Sequence, residues 1–340
     1  MTARRELFVS AVVVVLCCFG PWLSPLAHVE LSTVSEVFVT AIAVMSVNLL
    51  LGYTGLPAFG NAAYFGLGLY GVALSQKYLP QVDFVLAILI GMAAGLLGGL
   101  LLGPFLLRRR GIYFGLLSIA FGQVFYFIAY KFTDITGGED GMQIVRPYAG
   151  LPSAHVVVSD FGFYYVSLAL FVVALFAFRT IVRSPFGRTL IAIRQNEPRV
   201  RYLGLNTDRF IFVALLISAT MAGLSGALFG LLIDFAAPLQ LDWHESGNFV
   251  LAMILGGAGT VWGSLVGAFI YVVGKDVIST MTAWWQIYLG ALFVACVLGF
   301  PRGILGTLQA LKRRAPQTFA DDDVNAAFDP NAPVEVGRGV

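Results

Sequence analysis

Charge is scarce in this sequence. Only 12% of its 340 residues are Asp, Glu, Lys or Arg, against roughly a quarter in ordinary soluble domains. A soluble fold needs charged side chains to cover its surface, so the deficit argues against one. The shortage is also uneven: residues 37–51 and 84–107 carry no charge at all. Cysteine is scarce too. Cys17, Cys18 and Cys296 all lie in apolar runs, and adjacent residues of a helix point to different sides. They read as buried thiols rather than as a disulfide or metal framework. His28, His155 and His244 stand alone in expected loops, and no HExxH or paired CxxC spacing occurs. Missing as well are a G-x-x-x-x-G-K-[ST] phosphate loop and any nucleophile–base constellation. The chain is therefore expected to be non-catalytic and to bind no metal or cofactor of its own.

What is present is apolar: 58% of the residues are hydrophobic, and Gly contributes 38. Glycine weakens a helix in water but lets helix backbones approach closely in lipid. The run 11–16, Ala-Val-Val-Val-Val-Leu, does not alternate as a membrane β-strand would. An all-α, polytopic transmembrane bundle follows. A span needs about 20 mostly apolar residues. Candidate segments fall at 7–26, 34–51, 59–78, 84–107, 112–130, 161–178, 210–233, 247–255, 261–273 and 284–300. The eighth, 247–255, is too short to cross as a full helix, and the ninth extends towards residue 278. Arg4 and Arg5 ahead of residues 7–20 resemble a signal peptide, but the apolar run continues to Leu26 with no small-residue cleavage site before Pro25. It reads as a retained first span.

Cytoplasmic loops carry the excess of Lys and Arg. With ten crossings and both termini in the cytoplasm, only Lys77, Lys131, Arg146 and Lys275 fall outside, and the rest of the 21 basic residues fall inside. Residues 1–314 then form the membrane domain, with an outer loop at 131–160 and an arginine-rich inner loop at 183–209. Residues 315–340, with Asp321, Asp322 and Asp323, read as a disordered cytoplasmic tail. The inner arginines fit anionic lipid better than nucleic acid, which is not expected as a partner.

Three places break the apolar pattern. At 51–61, Gly, Thr, Pro and Asn separate two apolar runs. This is either a broken helix of the kind transporters use or a tight turn between helices. In the fifth segment, Ser118 and Gln123 need partners inside the bilayer, most simply other helices. The stretch Thr136-Gly137-Gly138-Glu139-Asp140-Gly141 follows outside, as a mouth or a helix cap. In the inner loop, Ser184-Pro185 starts a short amphipathic helix, on which Leu190, Ile193, Val200 and Leu203 recur at helical spacing. Gly204 suits a left-handed C-terminal cap. Such a helix rests on lipid or docks in a partner's groove. Lys275 and Asp276 are the nearest approach to an intramembrane pair, but neighbours on a helix do not face each other.

These stretches, with Leu255-Gly256-Gly257-Ala258-Gly259-Thr260-Val261-Trp262-Gly263, resemble the LivM-type permeases of branched-chain amino acid ABC importers. The most specific part is Gly111-Ile112-Tyr113-Phe114 with Thr136-Gly137-Gly138 and Asp140-Gly141. The resemblance runs from about residue 34 to 306. It implies a bacterial inner-membrane subunit paired with a LivH-like second permease, two cytoplasmic ATPases that use ATP and Mg, and a periplasmic substrate-binding protein. It makes Tyr53, Thr54, Gly55, Asn61 and Gln123 candidates for the substrate path. Phe186, Gly187, Arg188, Leu190, Ile193, Arg194, Glu197 and Gly204 become candidates for coupling to the ATPases. Thr136, Gly137, Gly138 and Asp140 become candidates for the outer mouth. Urea and short-chain amides are the alternative cargo, and an ion-coupled carrier the alternative class. Carriers place ionisable relays in the membrane, whereas here the acids lie mostly at expected helix ends.

Overall fold

The computed structural model describes residues 30–79, 82–146, 148–149, 156–157, 159–282 and 284–299, together with Gly303, Ile304 and Thr307. The expected first span at 7–26, the tail after 314, both termini, Cys17, Cys18, His28 and His155 lie outside these residues. Ten helices are labelled here: α1 Leu31–Val47, α2 Asn61–Tyr78, α3 Phe84–Leu106, α4 Ile112–Lys131, α5 Asp160–Arg183, α6 Pro185–Tyr202, α7 Thr207–Ile233, α8 Trp243–Gly256, α9 Gly263–Met281 and α10 Trp285–Gly299. Among the described residues, 6 helices are long and apolar enough to cross a membrane: α1 with its extension to Thr54, α3, α4, α5, α7 and α9. Against the expected ten or so segments, the described residues thus show six such helices, and the count of ten is not confirmed. The shorter or more polar α2, α8 and α10 stand at the third, eighth and tenth positions.

Helix α7 is the hub, packed against α3, α2 and α1, while α1 also meets α9, α5 and α8. Glycine makes the tightest of these contacts possible. A Cβ at Gly68 of α2 would lie 2.1 Å from the Gly223 carbonyl oxygen of α7, so the two backbones touch there. On the far side of α3, Val85, Leu97 and Leu101 are exposed, as are Leu116 and Phe127 of α4. A stripe of bare aliphatic and aromatic side chains on helices of this length fits lipid.

The helices define two ends. One collects the arginine-rich α6, the 107–111 turn and the 257–262 loop. The other collects residues 131–146 and the start of α1. At this second end, Met142–Gln143 (β1) pairs antiparallel with Phe235–Ala236 (β4), with Tyr148–Ala149 (β2) and Val156–Val157 (β3) as a separate ladder. Arg146 holds the corner together. Its Nη1 pairs with Asp160 at 2.5 Å and its Nε with Asp234 at 3.3 Å, and the guanidinium covers two carbonyls, Leu231 and Leu232, at the end of α7.

The fold supplies partners that sequence spacing hid. Lys275 and Asp276 each bond across to α1, Lys275 to Glu36 at 2.7 Å and Asp276 to Thr33 at 3.2 Å. His244, expected in a loop, is instead the second residue of α8.

Candidate functional site

Two helices break inside the bundle. The first break follows α1. At Asn48 the backbone leaves the α-helical ladder for a π-helical turn, Asn48–Thr54, a form that concentrates at functional sites. Gly55 ends the turn at φ 79°, and the chain is non-helical until α2 starts at Asn61. The buried Asn48 side chain holds the turn in place. Its Nδ2 donates to Thr260 O at 2.9 Å and Ser264 Oγ at 3.1 Å, and its Oδ1 accepts from Gly259 N at 2.8 Å.

The second break follows α7. The chain turns back at Asp234, pairs through β4, makes a 3-10 turn at Pro238–Leu241 and enters α8 at Trp243. The 14 residues of α8 rise only about 21 Å, short of the roughly 30 Å of a bilayer's apolar core. Its N-terminus therefore lies inside the bundle. It meets the N-terminus of α2 there: Ala62 N donates to Ser246 Oγ at 2.7 Å. Asn61 Nδ2 reaches Ser46 Oγ at 2.5 Å, and Ser218 Oγ lies 2.8 Å from Ser46 O and 3.3 Å from Asn61 Oδ1. At the same level Asp242 caps α8. It accepts from His244 N at 2.8 Å, lies 2.5 Å from His244 Nδ1, and receives Gln123 Nε2 at 3.4 Å. The Trp243 and His244 ring centroids lie 4.0 Å apart with the planes tilted by 33°, and the His244 side chain is 71% exposed.

At the arginine-rich end, α6 starts as its sequence dictates. Ser184 Oγ accepts from Gly187 N at 3.3 Å, Pro185 opens the helix, and Gly204 follows its end at φ 84°. Helical backbone is interrupted at Asn196 (φ −161°, ψ 91°). Beyond that joint a clasp ties α6 to its neighbours. Glu197 receives Arg110 Nε at 3.1 Å, Arg201 Nη2 at 2.9 Å and Thr207 Oγ1 at 3.0 Å. Burial pushes the Glu197 carboxyl up, but the bonds from Arg110 and Thr207 and the charges of Arg110 and Arg201 together outweigh it and hold the group below the usual carboxylate range. The clasp's charge is therefore in place above that range and is lost only as pH falls through the depressed value. A cavity of about 470 Å³ opens beside it, lined in part by Thr54, Gly55, Leu56, Arg110, Arg194 and Asn196.

The expected path residues divide. Gly55 and Thr54 line the cavity, and Gln123 is half-buried against Asp242. Tyr53 is buried edge-on against Phe178, Thr54 bonds back to Leu49 O, and Asn61 is a buried tie between helices. Among the coupling candidates, Phe186 stacks on Phe210, Gly187 abuts the end of α5, and Arg188 is exposed. Leu190 and Ile193 are buried within this chain, whereas Leu203, expected on the same apolar stripe, is 76% exposed. At the other end, Thr136 Oγ1 caps α4 through Ala129 O and Phe132 O, Gly137 and Gly138 take positive φ to turn the chain, and Asp140 is exposed. Sequence reasoning missed Asn48, Asp242 and the Arg110 clasp. A lone Asn in an uncharged run was the available signal for the first.

Irregular backbone at membrane depth, packed by protein, belongs to helical membrane proteins, and transporters are among those that use it. Residues 31–297 match the family described as "Branched-chain amino acid transport system / permease component", and the chain belongs to that family. It is 28% identical over 329 residues to the high-affinity branched-chain amino acid transport system permease protein LivM of Escherichia coli K12, covering 89% of this chain and 76% of that one. The LivM protein of Salmonella typhimurium LT2 matches to the same extent. The autoinducer 2 import system permease protein LsrC of Photorhabdus laumondii is 27% identical over 307 residues, covering 86% of this chain and 88% of that one. No solved structure matches.

Proposed function

We propose that this chain is the non-catalytic permease subunit of an ATP-driven importer, forming part of the route for branched-chain amino acids across the bacterial inner membrane. The observation that carries the reading is the meeting of two helix starts, α2 and α8, inside the bundle, joined by the Ala62–Ser246 bond. Transporters build substrate routes at such interruptions. Trp243 and His244 support the same face as the route. Both are exposed at a depth where an imidazole needs water or protein rather than lipid.

The arginine-rich end faces the cytoplasm by the excess of basic residues there. One of the importer's two ATPase subunits binds α6 on its open side, where Arg188, Ile191, Tyr202 and Leu203 are exposed. The buried Leu190 and Ile193 instead seat the helix on this chain. A LivH-like permease completes the route, and a periplasmic binding protein delivers cargo to the 131–159 side. ATP and Mg act in the partner subunits.

A second reading, an autoinducer-type cargo, is favoured by the LsrC likeness, which spans a larger share of that relative than the LivM match does of its own. Competition decides among cargoes. In cells holding all the partner subunits, uptake of labelled leucine is expected to fall with excess isoleucine or valine and to be unaffected by urea, acetamide or autoinducer 2. Inhibition by one of the last three without inhibition by valine would overturn the amino-acid assignment.

A further inference from the structure

One side chain joins α6 to the first helix break. Arg194 Nη1 donates to the carbonyl oxygen of Gly52, inside the π-helical turn. Its stem lies over Gly55, where a Cβ would come within 2.8 Å of Arg194 Cγ. A Cβ at Gly259, in the loop after α8, would lie 3.5 Å from Arg194 Nη1. The arginine thus occupies the junction of three segments, and Asn48 carries the connection onward to Gly259, Thr260 and Ser264. Arg194 on Gly52 and Asn48 on Gly259, Thr260 and Ser264 thus tie α6 to the break in α1, and that break to the loop between α8 and α9.

The surroundings leave that junction room to move. The part of α6 after Asn196 is fixed by the Glu197–Arg110 clasp, while Arg194 lies before the joint at Asn196. The cavity of about 470 Å³ borders the arginine and has room for its guanidinium to leave Gly52. Among the described residues, no other side chain of α6 bonds to the 48–56 segment.

We propose that Arg194 is a positioning residue, a latch that passes movement of α6 to the break in α1 and the α8–α9 loop. It holds the Gly52 carbonyl in one state and swings into the cavity in the other. The inference rests on the permease reading above. It separates two tasks within α6: exposed side chains meet the ATPase, and Arg194 faces inward and transmits.

The test uses the complete transporter in proteoliposomes. Arg194→Met keeps the stem over Gly55 and removes the donor. It is expected to retain its ATPase subunits and their basal hydrolysis, while stimulation by loaded binding protein and uptake fall about tenfold. Arg194→Lys restores a donor and is expected to recover part of the stimulation. Full stimulation in the methionine variant overturns the latch. Loss of the ATPase subunits from that variant also overturns it, by making Arg194 a docking residue, and so does a lysine variant no better than methionine. A wild-type assembly whose ATP hydrolysis ignores loaded binding protein would sink the permease reading itself.

Discussion

Asn48→Leu is expected to leave little folded protein in the membrane. Asn48 is fully buried, and its amide makes three bonds to the α8–α9 loop and the start of α9, at 2.8, 2.9 and 3.1 Å. Leucine fills a similar volume but leaves the Gly259 amide and the Thr260 carbonyl without these partners. Both groups are part-buried, so each, once orphaned, costs up to about 1–3 kcal/mol. Two of them consume a large share of a typical domain's stability. Gly52→Ala is expected to reproduce the defect by another route. Its methyl would lie 1.9 Å from Asn48 Oδ1 and 2.7 Å from the Gly259 amide nitrogen, so the turn and the loop would have to part. The yield of monodisperse protein in detergent, and its thermal midpoint, measure both effects. A normal yield and midpoint for Asn48→Leu would show that the loop does not depend on this side chain.

Gly68→Val is expected to be as damaging, for a steric reason. At this crossing α2 and α7 touch backbone to backbone: the added Cβ would lie 2.1 Å from the Gly223 carbonyl oxygen and 2.6 Å from its Cα. No rotamer relieves a clash with main chain, so the helices must separate, and the loss exceeds the roughly 1–3 kcal/mol of ordinary overpacking. Because α7 is also the main neighbour of α3, the separation spreads through the bundle. Gly290→Ala is the control. Nothing lies within 4 Å of its Cβ position, so its midpoint should not fall below the wild type's. Equal midpoints for all three proteins would contradict the packing described here.

Local chemistry made some of this readable from sequence. The start and end of α6 follow from Ser184-Pro185 and Gly204 because a cap is decided within a few residues. The short eighth segment was legible from its length, and Gln123 was legible as a polar group needing a partner. What stayed hidden depended on distant residues. Asp242, the partner of Gln123, stood in an expected loop. Lys275 and Asp276 do not face each other, as helix geometry requires, but their partners come from α1, 239 and 243 residues away in the chain. Asn48 is hidden within the uncharged run 37–51, because an amide adds no charge and its partners lie more than 200 residues away. Asn61 drew attention as a route residue, yet its amide is used up in ties to Ser46 and Ser218. Leu203 fits the apolar period of α6, but the period cannot tell which part of a helix runs beyond the body of the protein.

The central claim, a permease driven by ATP through partner subunits, meets its most direct test in energised vesicles. The chain and all its partners are placed in proteoliposomes with ATP inside, loaded binding protein outside, and ionophores present to collapse every ion gradient. The account predicts leucine accumulation that requires ATP and persists with the ionophores. Accumulation that ignores ATP and vanishes with the ionophores would contradict it and make the protein an ion-coupled carrier.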